Sequence, residues 1–377
     1  MESDYVIVGS GLTGAVIARK LADAQKSVVV LDRRSHTGGN VHDHEHASGI
    51  RVHTYGPHYF RTNHEEVWRF VNGFSTFYKY EAVLKSQVDG ANETWPVTES
   101  YVRRLAGPDW RPEFTGQPDN FEEASLAMMP RPIYEKFVKG YTEKQWGVPA
   151  RQLSPLLAKR FDVRADDEPR LTRHKHQGLP RGGYAGFMRN MLAGLPVILD
   201  CDYLRHKNQF RARTGIIFTG PMDEYFGGDL GRLKYRGQKR EHTYLPEVDF
   251  VQACGQVNNP DPNQGPHLRT LEWKHMMEPA EIRGVRGTVV TRETAVTPAE
   301  ANDFEYPFPD ATNARLFAAY RERARKIPGL LICGRLGEYR YYDMDQAIAR
   351  ALLLAARLLE QKNGQPDPRL MYECSEH

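Results

Sequence analysis

Gly9, Gly11 and Gly14, in the run Tyr5-Val-Ile-Val-Gly-Ser-Gly-Leu-Thr-Gly-Ala-Val-Ile-Ala18, and a carboxylate at Asp32 have the types and spacing that hold a dinucleotide. Gly9 permits a tight turn, Gly11 lets backbone approach a pyrophosphate, and Gly14 lets a helix lie against a strand. Free N–H groups at the helix start then point at the phosphates. Asp32 ends a second apolar strand, Ser27-Val-Val-Val-Leu-Asp32, where a carboxylate holds the adenosine ribose hydroxyls. A glycine turn with no ligand is the plainer reading, but the flanking strand, amphipathic helix and second strand argue against it.

Beyond Asp32 comes Arg33-Arg-Ser-His-Thr-Gly-Gly-Asn40. In a nicotinamide enzyme an Arg at this place argues for a ribose 2′-phosphate. The N-terminal position of the fingerprint and the paired glycines at 38 and 39 instead point to FAD, whose isoalloxazine needs an extended chain passing under it. Gly49-Ile-Arg-Val-His-Thr-Tyr-Gly-Pro-His-Tyr-Phe-Arg-Thr62 supplies one, alternating like a strand and turning at Gly56-Pro57. His58 and Arg61 fall near the flavin in that reading; a hydrogen-bonded loop histidine is the bland alternative.

The elements that position these residues come from the whole chain. Residues 64 to 172 read as helical and irregular, punctuated by prolines, with Glu66-Val-Trp-Arg-Phe-Val-Asn72 and Asn120-Phe-Glu-Glu-Ala-Ser-Leu-Ala-Met-Met129 as periodic helices. Gly215-Ile-Ile-Phe-Thr-Gly-Pro-Met222 and Gly329-Leu-Leu-Ile-Cys-Gly-Arg335 read as strands of the dinucleotide sheet, and Asp345 to Leu359 as a long helix. Short β-rich runs between 233 and 300 predict an antiparallel platform. The expected fold is α/β: a discontinuous Rossmann-type FAD domain (1–75, 190–230, 315–365), a mostly helical insertion domain (76–172) and an antiparallel β-sheet domain (173–189, 231–314). A mobile loop is expected near 168–178. The tail from Gln361 is expected to add little to the core.

At 377 residues the chain exceeds what one core serves, so several domains are expected. Its net charge of +3 balances 51 basic against 48 acidic residues without a basic run, so no nucleic-acid partner is suggested. No apolar run reaches membrane-span length and no leader pattern precedes the first strand, which makes a cytoplasmic protein the expectation. Cys201, Cys254, Cys333 and Cys374 lack metal-site or redox spacing, so no metal is expected.

Four further motifs are specific: Gly140-Tyr-Thr-Glu-Lys-Gln-Trp-Gly147, Gln177-Gly-Leu-Pro180 with Gly182-Gly-Tyr184, Thr219-Gly-Pro221 with Tyr225-Phe226, and Gly334-Arg-Leu-Gly-Glu-Tyr-Arg-Tyr-Tyr-Asp-Met344. Taken in order over the whole chain, they resemble the flavin-dependent UDP-galactopyranose mutases and related nucleotide-sugar mutases. The resemblance implies isomerisation of a pyranose to a furanose on a nucleoside diphosphate, with no net redox, through attack of reduced FAD N5 on sugar C1. It implies that Arg335 binds the diphosphate and that Tyr141, Tyr184 and Tyr341 donate hydroxyls to it or line the sugar pocket. Trp146 would lie at the sugar, Phe137 at the nucleobase, Asn259 and Arg269 at the diphosphate, Thr142 at the substrate, and Asp343 near the mobile-loop arginine and the substrate-side tyrosines or orienting them from behind. The cofactor would meet Gly9, Gly11, Leu12, Thr13, Gly14, Asp32, Arg33, Gly39, Asn40, His58, Arg61, Gly334, Arg335, Tyr342, Asp343 and Met344. A homodimer is implied too.

Three positions depart from that family's pattern. Arg61 stands where a second histidine is usual, placing a fixed charge near the flavin. Lys175, in His174-Lys-His-Gln-Gly178, stands for a mobile-loop arginine and loses its bidentate geometry, with Arg173 as a substitute if the loop shifts. Thr94-Trp-Pro96 replaces Asn-Leu-Pro on the substrate side. Arg335, Lys175, His58 and Arg61 are therefore the expected catalytic set, with Thr94 at the substrate. The departures suggest a sugar or base other than UDP-galactose. A flavin oxidoreductase of the amine-oxidase type and a non-catalytic nucleotide-sugar binder remain the alternatives.

Overall fold

The computed structural model describes residues 1–161 and 163–361; Cys374 and the tail after Gln361 lie outside them. Five parallel strands form the central sheet, in the order Val197–Ile198, Val28–Leu31, Glu2–Val8, Arg211–Phe218, Leu330–Ile332. The middle strands are buried on both faces, as continuous Val/Ile runs in a parallel sheet require. Ile7 and Val30 pack on one face with helices Leu12–Asp23 and Met344–Glu360, through Val16, Ile17, Leu21, Ile348 and Leu354. Val6, Val29 and Leu31 pack on the other face with Phe218 and with Tyr320 of helix Ala311–Ala324. The sheet thus draws its strands from both halves of the chain, and its carboxyl ends carry the Gly9 turn, Asp32, Thr219 and Cys333.

A second sheet of seven strands runs Tyr306–Pro307, Tyr235–Leu245, Thr288–Val296, Arg269–Glu272, Gln256–Asn258, Leu84–Val88, Ala91–Trp95. It is antiparallel except where Gln256–Asn258 pairs in parallel with Leu84–Val88. Its last two strands come from the stretch expected to be mostly helical. The signal for them is local: Leu84, Ser86 and Val88 are buried in alternation, and Asp89-Gly90, both at positive φ (52° and 79°), close a tight hairpin. Strand His176–Pro180 lies between Phe60–Thr62 and Phe77–Lys79 in a three-stranded sheet, so residues 176 to 178 of the expected mobile loop are held in register rather than left as a loop.

The helical unit has its own core, in which Phe121, Ile133, Tyr134, Phe137, Val138 and Trp146 meet. Arg131–Ile133 passes through a π-helical stretch, Tyr134–Lys139, into Gly140–Trp146. A π turn shifts side chains off the 3.6-residue stripe and is frequent at functional sites. Gly140 is required by contact: a Cβ there would sit 2.2 Å from the Pro260 carbonyl oxygen. Lys144 Nζ donates to the carbonyls of Asn259 (3.0 Å) and Asp261 (2.7 Å), docking this helix onto the second sheet. That docking faces Tyr141 and Gln145 toward the space between the two sheets.

Candidate active site

Two clefts meet above the central sheet. The first is lined by Gly9, Gly11, Leu12, Thr13, Asp32, Arg33, Gly39, Asn40, His58, Gly334, Arg335, Tyr342 and Met344 of the expected cofactor residues. Gly9 has φ of 101°, and a Cβ on it would lie 2.1 Å from Thr219 Oγ1; one on Gly14 would lie 2.0 Å from the Gly9 carbonyl oxygen. Gly14 therefore shapes the turn from behind, outside the lining. Asp32 Oδ2 accepts from Ser10 N (2.7 Å) and Ser10 Oγ (2.6 Å), and Oδ1 accepts from Arg34 N (2.9 Å), which fixes the carboxylate at the cleft wall. Ser10 and Arg34 were not singled out from the sequence. The narrow glycine turn, the oriented carboxylate and the long cleft fit a dinucleotide.

The second cleft lies between the helical unit and the second sheet. It gathers Phe137, Tyr141, Thr142, Trp146, Arg269, Arg335, Tyr341, Asp343, His58 and Arg61 from the expected set. Arg61 and Asp343 belong here and not to the first cleft; Arg61 Nη2 donates to Asp343 Oδ2 at 2.9 Å. Asp343 is also the N-cap of helix Met344–Glu360, with Gln346 completing a capping box. Arg61's charge is thus balanced by a carboxylate, whereas the sequence alone presented it as a free cation.

Lys175 and its substitute Arg173, Thr94, Asn259 and Tyr184 sit elsewhere. Lys175 pairs with Glu65 on the surface, and Arg173 pairs with Asp166; neither lines the cleft. Thr94 faces the opposite way, accepting from Lys85 Nζ at 3.0 Å, while its neighbour Trp95 lines the cleft. Asn259 is buried against His267, its Nδ2 donating to the carbonyls of Gln264 (3.2 Å) and His267 (3.1 Å); Asn258 is the one in the cleft. Both are slips of one residue, which in extended chain reverses the face. Tyr184 is buried behind the site, where its hydroxyl donates to the His58 carbonyl at 3.0 Å and its ring edge meets His53.

The cation that the sequence placed at Lys175 is supplied by Arg160, at the end of the short 3₁₀ helix Pro155–Arg160. Its guanidinium lies 4.2 Å over the Tyr341 ring, which stacks on Tyr306 at 6.1 Å. Arg335 approaches both rings, at 4.6 and 4.9 Å. Among the described residues neither Arg160 nor Arg335 has a carboxylate partner within ion-pair distance, and buried Arg335 Nε has no hydrogen-bond partner. Two unneutralised guanidiniums on an aromatic stack make a receptor for a multiply charged oxyanion. Thr142 Oγ1 and Gln145 Nε2 are likewise buried at the lining without partners. No pattern in the sequence marked Arg160 or Tyr306, because each arrives through tertiary packing; Gln145 lies inside the Gly140–Gly147 run but carries no role in that reading.

His58 and Arg335 line both clefts, together with Tyr342 and Met344. Burial, reinforced by His53, holds the His58 imidazole well below its usual pKa, so it is neutral at physiological pH. Its Nδ1 donates to the Gly56 carbonyl at 2.7 Å, leaving Nε2 as the acceptor. A neutral ring and a free guanidinium therefore stand where a group in the first cleft would face a group in the second.

The sequence pattern described as UDP-galactopyranose mutase matches residues 136–341, and that of an NAD(P)-binding Rossmann-like domain matches residues 7–74. A probable UDP-galactopyranose mutase of Klebsiella pneumoniae is 31% identical, with 97% of each chain covered. A dTDP-fucopyranose mutase of Escherichia coli is 30% identical over 92% of this chain and 96% of the relative. The crystal structure of reduced UDP-galactopyranose mutase shares the fold, with a TM-score of 0.75 over 98% of both chains at 13% identity.

Proposed function

The chain belongs to the UDP-galactopyranose mutase family, and from that premise we propose that it interconverts the pyranose and furanose forms of a nucleoside-diphosphate sugar, with FAD in the first cleft. The observation that carries the reading is the sharing of His58 and Arg335 by the two clefts, which opens a cofactor site directly onto an oxyanion receptor. When bound and reduced, the flavin supplies the nucleophile for the anomeric carbon.

The chain's own residues bind and orient. Arg335 and Arg160 neutralise the diphosphate as it separates from the sugar and hold it for return, and Arg269 adds a third cation from the sheet. Tyr341 and Tyr306 fix the two arginines by cation–π contact. Phe137 and Trp95, stacked with centroids 6.2 Å apart, form the apolar end suited to a nucleobase. Neutral His58 can accept a hydroxyl proton without repelling the arginines, and Trp146 closes the sugar end. The reading carries with it a cytoplasmic homodimer, which gel filtration and fractionation test.

The near-equal identities to a UDP-galactopyranose mutase and a dTDP-fucopyranose mutase favour a second reading of the same chemistry on a different sugar and base. Anaerobic incubation of dithionite-reduced holoenzyme with UDP-galactopyranose and dTDP-fucopyranose, resolved by chromatography, tests both. A furanose product from one of them is expected. Oxidised sugar, or binding without conversion of any nucleotide sugar, would overturn the proposal.

A further inference from the structure

One row of residues crosses the second sheet behind the substrate cleft. Arg240, on strand Tyr235–Leu245, is the cross-strand partner of Glu293, which on its other side faces Arg269. Glu293 is fully buried and accepts one bond on each oxygen, from Arg240 Nε at 2.8 Å and from Arg269 Nε at 2.5 Å. Arg240 is 8% exposed and does not reach the cleft. Its terminal nitrogens form a two-pronged pair with Glu305, at 2.8 and 2.9 Å. Glu305 directly precedes Tyr306, whose ring lies under Arg335. Gly56, at φ of 90°, allows the loop that carries His58 to close over these heads, since a Cβ there would lie 2.8 Å from Glu293 Oε1 and 3.1 Å from an Arg240 nitrogen.

We propose that Arg240 and Glu305 are positioning residues for the nucleoside diphosphate: they hold Glu293 in place so that Arg269, paired to it through Nε, presents its guanidinium to the cleft in one fixed orientation. Without Arg240, Glu293 would lose the bond that fixes its Oε1; without Glu305, Arg240 would lose the two-pronged pair that fixes its head. Burial by itself would raise the Glu293 carboxyl, but Arg269 and Arg240 hold it below its usual range, so it remains the anionic hinge between two cations. Arg269 Nε is tied to Glu293, and its Nη2 lies beneath Gly56, 3.3 Å from where a Cβ on that residue would be, while the side chain lines the cleft. A buried pair of this kind adds little net stability over an apolar pair, so its value lies in orientation. Four charges in a row thus serve one cation at the ligand.

The inference rests on the mutase reading only in taking a nucleoside diphosphate as ligand. UDP and dTDP binding to the oxidised, flavin-loaded protein, measured by calorimetry, tests it apart from turnover. Removing the pair together, as Arg240→Met with Glu305→Leu, avoids a lone buried charge. That variant should keep its flavin and melting temperature while Kd for the diphosphate rises about tenfold. Arg269→Gln, which leaves Glu293 paired with Arg240, should by itself cost about tenfold. Should the double variant fail to fold, Glu305→Gln preserves shape and should raise Kd about threefold. Kd within twofold of the unmodified protein in a folded variant would overturn the inference, whereas failure of the unmodified protein to bind either diphosphate would overturn the mutase reading instead.

Discussion

The two clefts share a wall yet are built on different principles. The first is made largely of backbone: glycines at a strand–helix turn, a helix start and one carboxylate, most within forty residues of the N-terminus. The second is made of side chains contributed by residues 55 to 344, and its cations come from a 3₁₀ turn, a sheet strand and a short helix far apart in the chain. A backbone site breaks by shape and a side-chain site by charge, so each has a different characteristic failure.

Shape should give the largest effect. Gly14→Val puts its Cβ against the Gly9 carbonyl, and since neither backbone can yield, the clash exceeds the roughly 1–3 kcal/mol of ordinary overpacking. The protein should purify without flavin, read from its visible absorbance; a flavin-loaded variant would mean that the turn is not the cofactor's cradle. Charge comes next. Arg160→Ala should weaken UDP or dTDP binding by about ten- to a hundredfold, one lost charge-assisted contact. Lys175→Ala, which removes only a surface pair with Glu65, should leave it within about twofold. The opposite ranking would restore Lys175 to the site.

The last test concerns His53, which lies behind the shared wall and accepts from His58 N. Burial lowers the His53 pKa from 6.5 to about 4, and His58 is lowered as well. Between pH 6.5 and 4 the unfolded chain binds a proton on His53 that the folded chain refuses, so stability is complete above about pH 6.5 and falls as pH drops through that window. The loss is on the order of 2 kcal/mol by pH 5 from His53 alone. Melting temperature should be lower at pH 5 than at pH 7.5, and His53→Gln should flatten the dependence. An unchanged pH dependence in that variant would assign the acid sensitivity to other groups.

The same contrast explains what could be read from the sequence. The dinucleotide turn and its sheet are legible because a strand, three glycines and a helix start are local, and strand burial on both faces leaves uninterrupted Val/Ile runs. In the second cleft, the Gly140–Gly147 run and the Gly334–Met344 run led to Tyr141, Trp146, Arg335 and Tyr341, which the structure brings together. Thr94 and Asn259 each missed by one residue, since facing alternates along extended chain and register depends on a partner strand. Arg160 was missed for a different reason. A cation can be moved along a chain whenever packing delivers it to the same point, so counting from the Gln177-Gly178 motif led to Lys175. Arg240 stands in a strand that alternates like any other and Glu305 just before the two-residue strand Tyr306–Pro307, and their burial is visible only once the sheet is assembled.

The central claim is that the clefts open onto each other at His58 and Arg335, so that a ligand in the second is sensed by the flavin in the first. Titration of the oxidised holoprotein with UDP or dTDP, followed by visible absorbance and by calorimetry on the same sample, measures this directly. The account predicts a saturable shift of the flavin bands whose midpoint equals the calorimetric Kd. Calorimetric binding that leaves the flavin spectrum unchanged would contradict it.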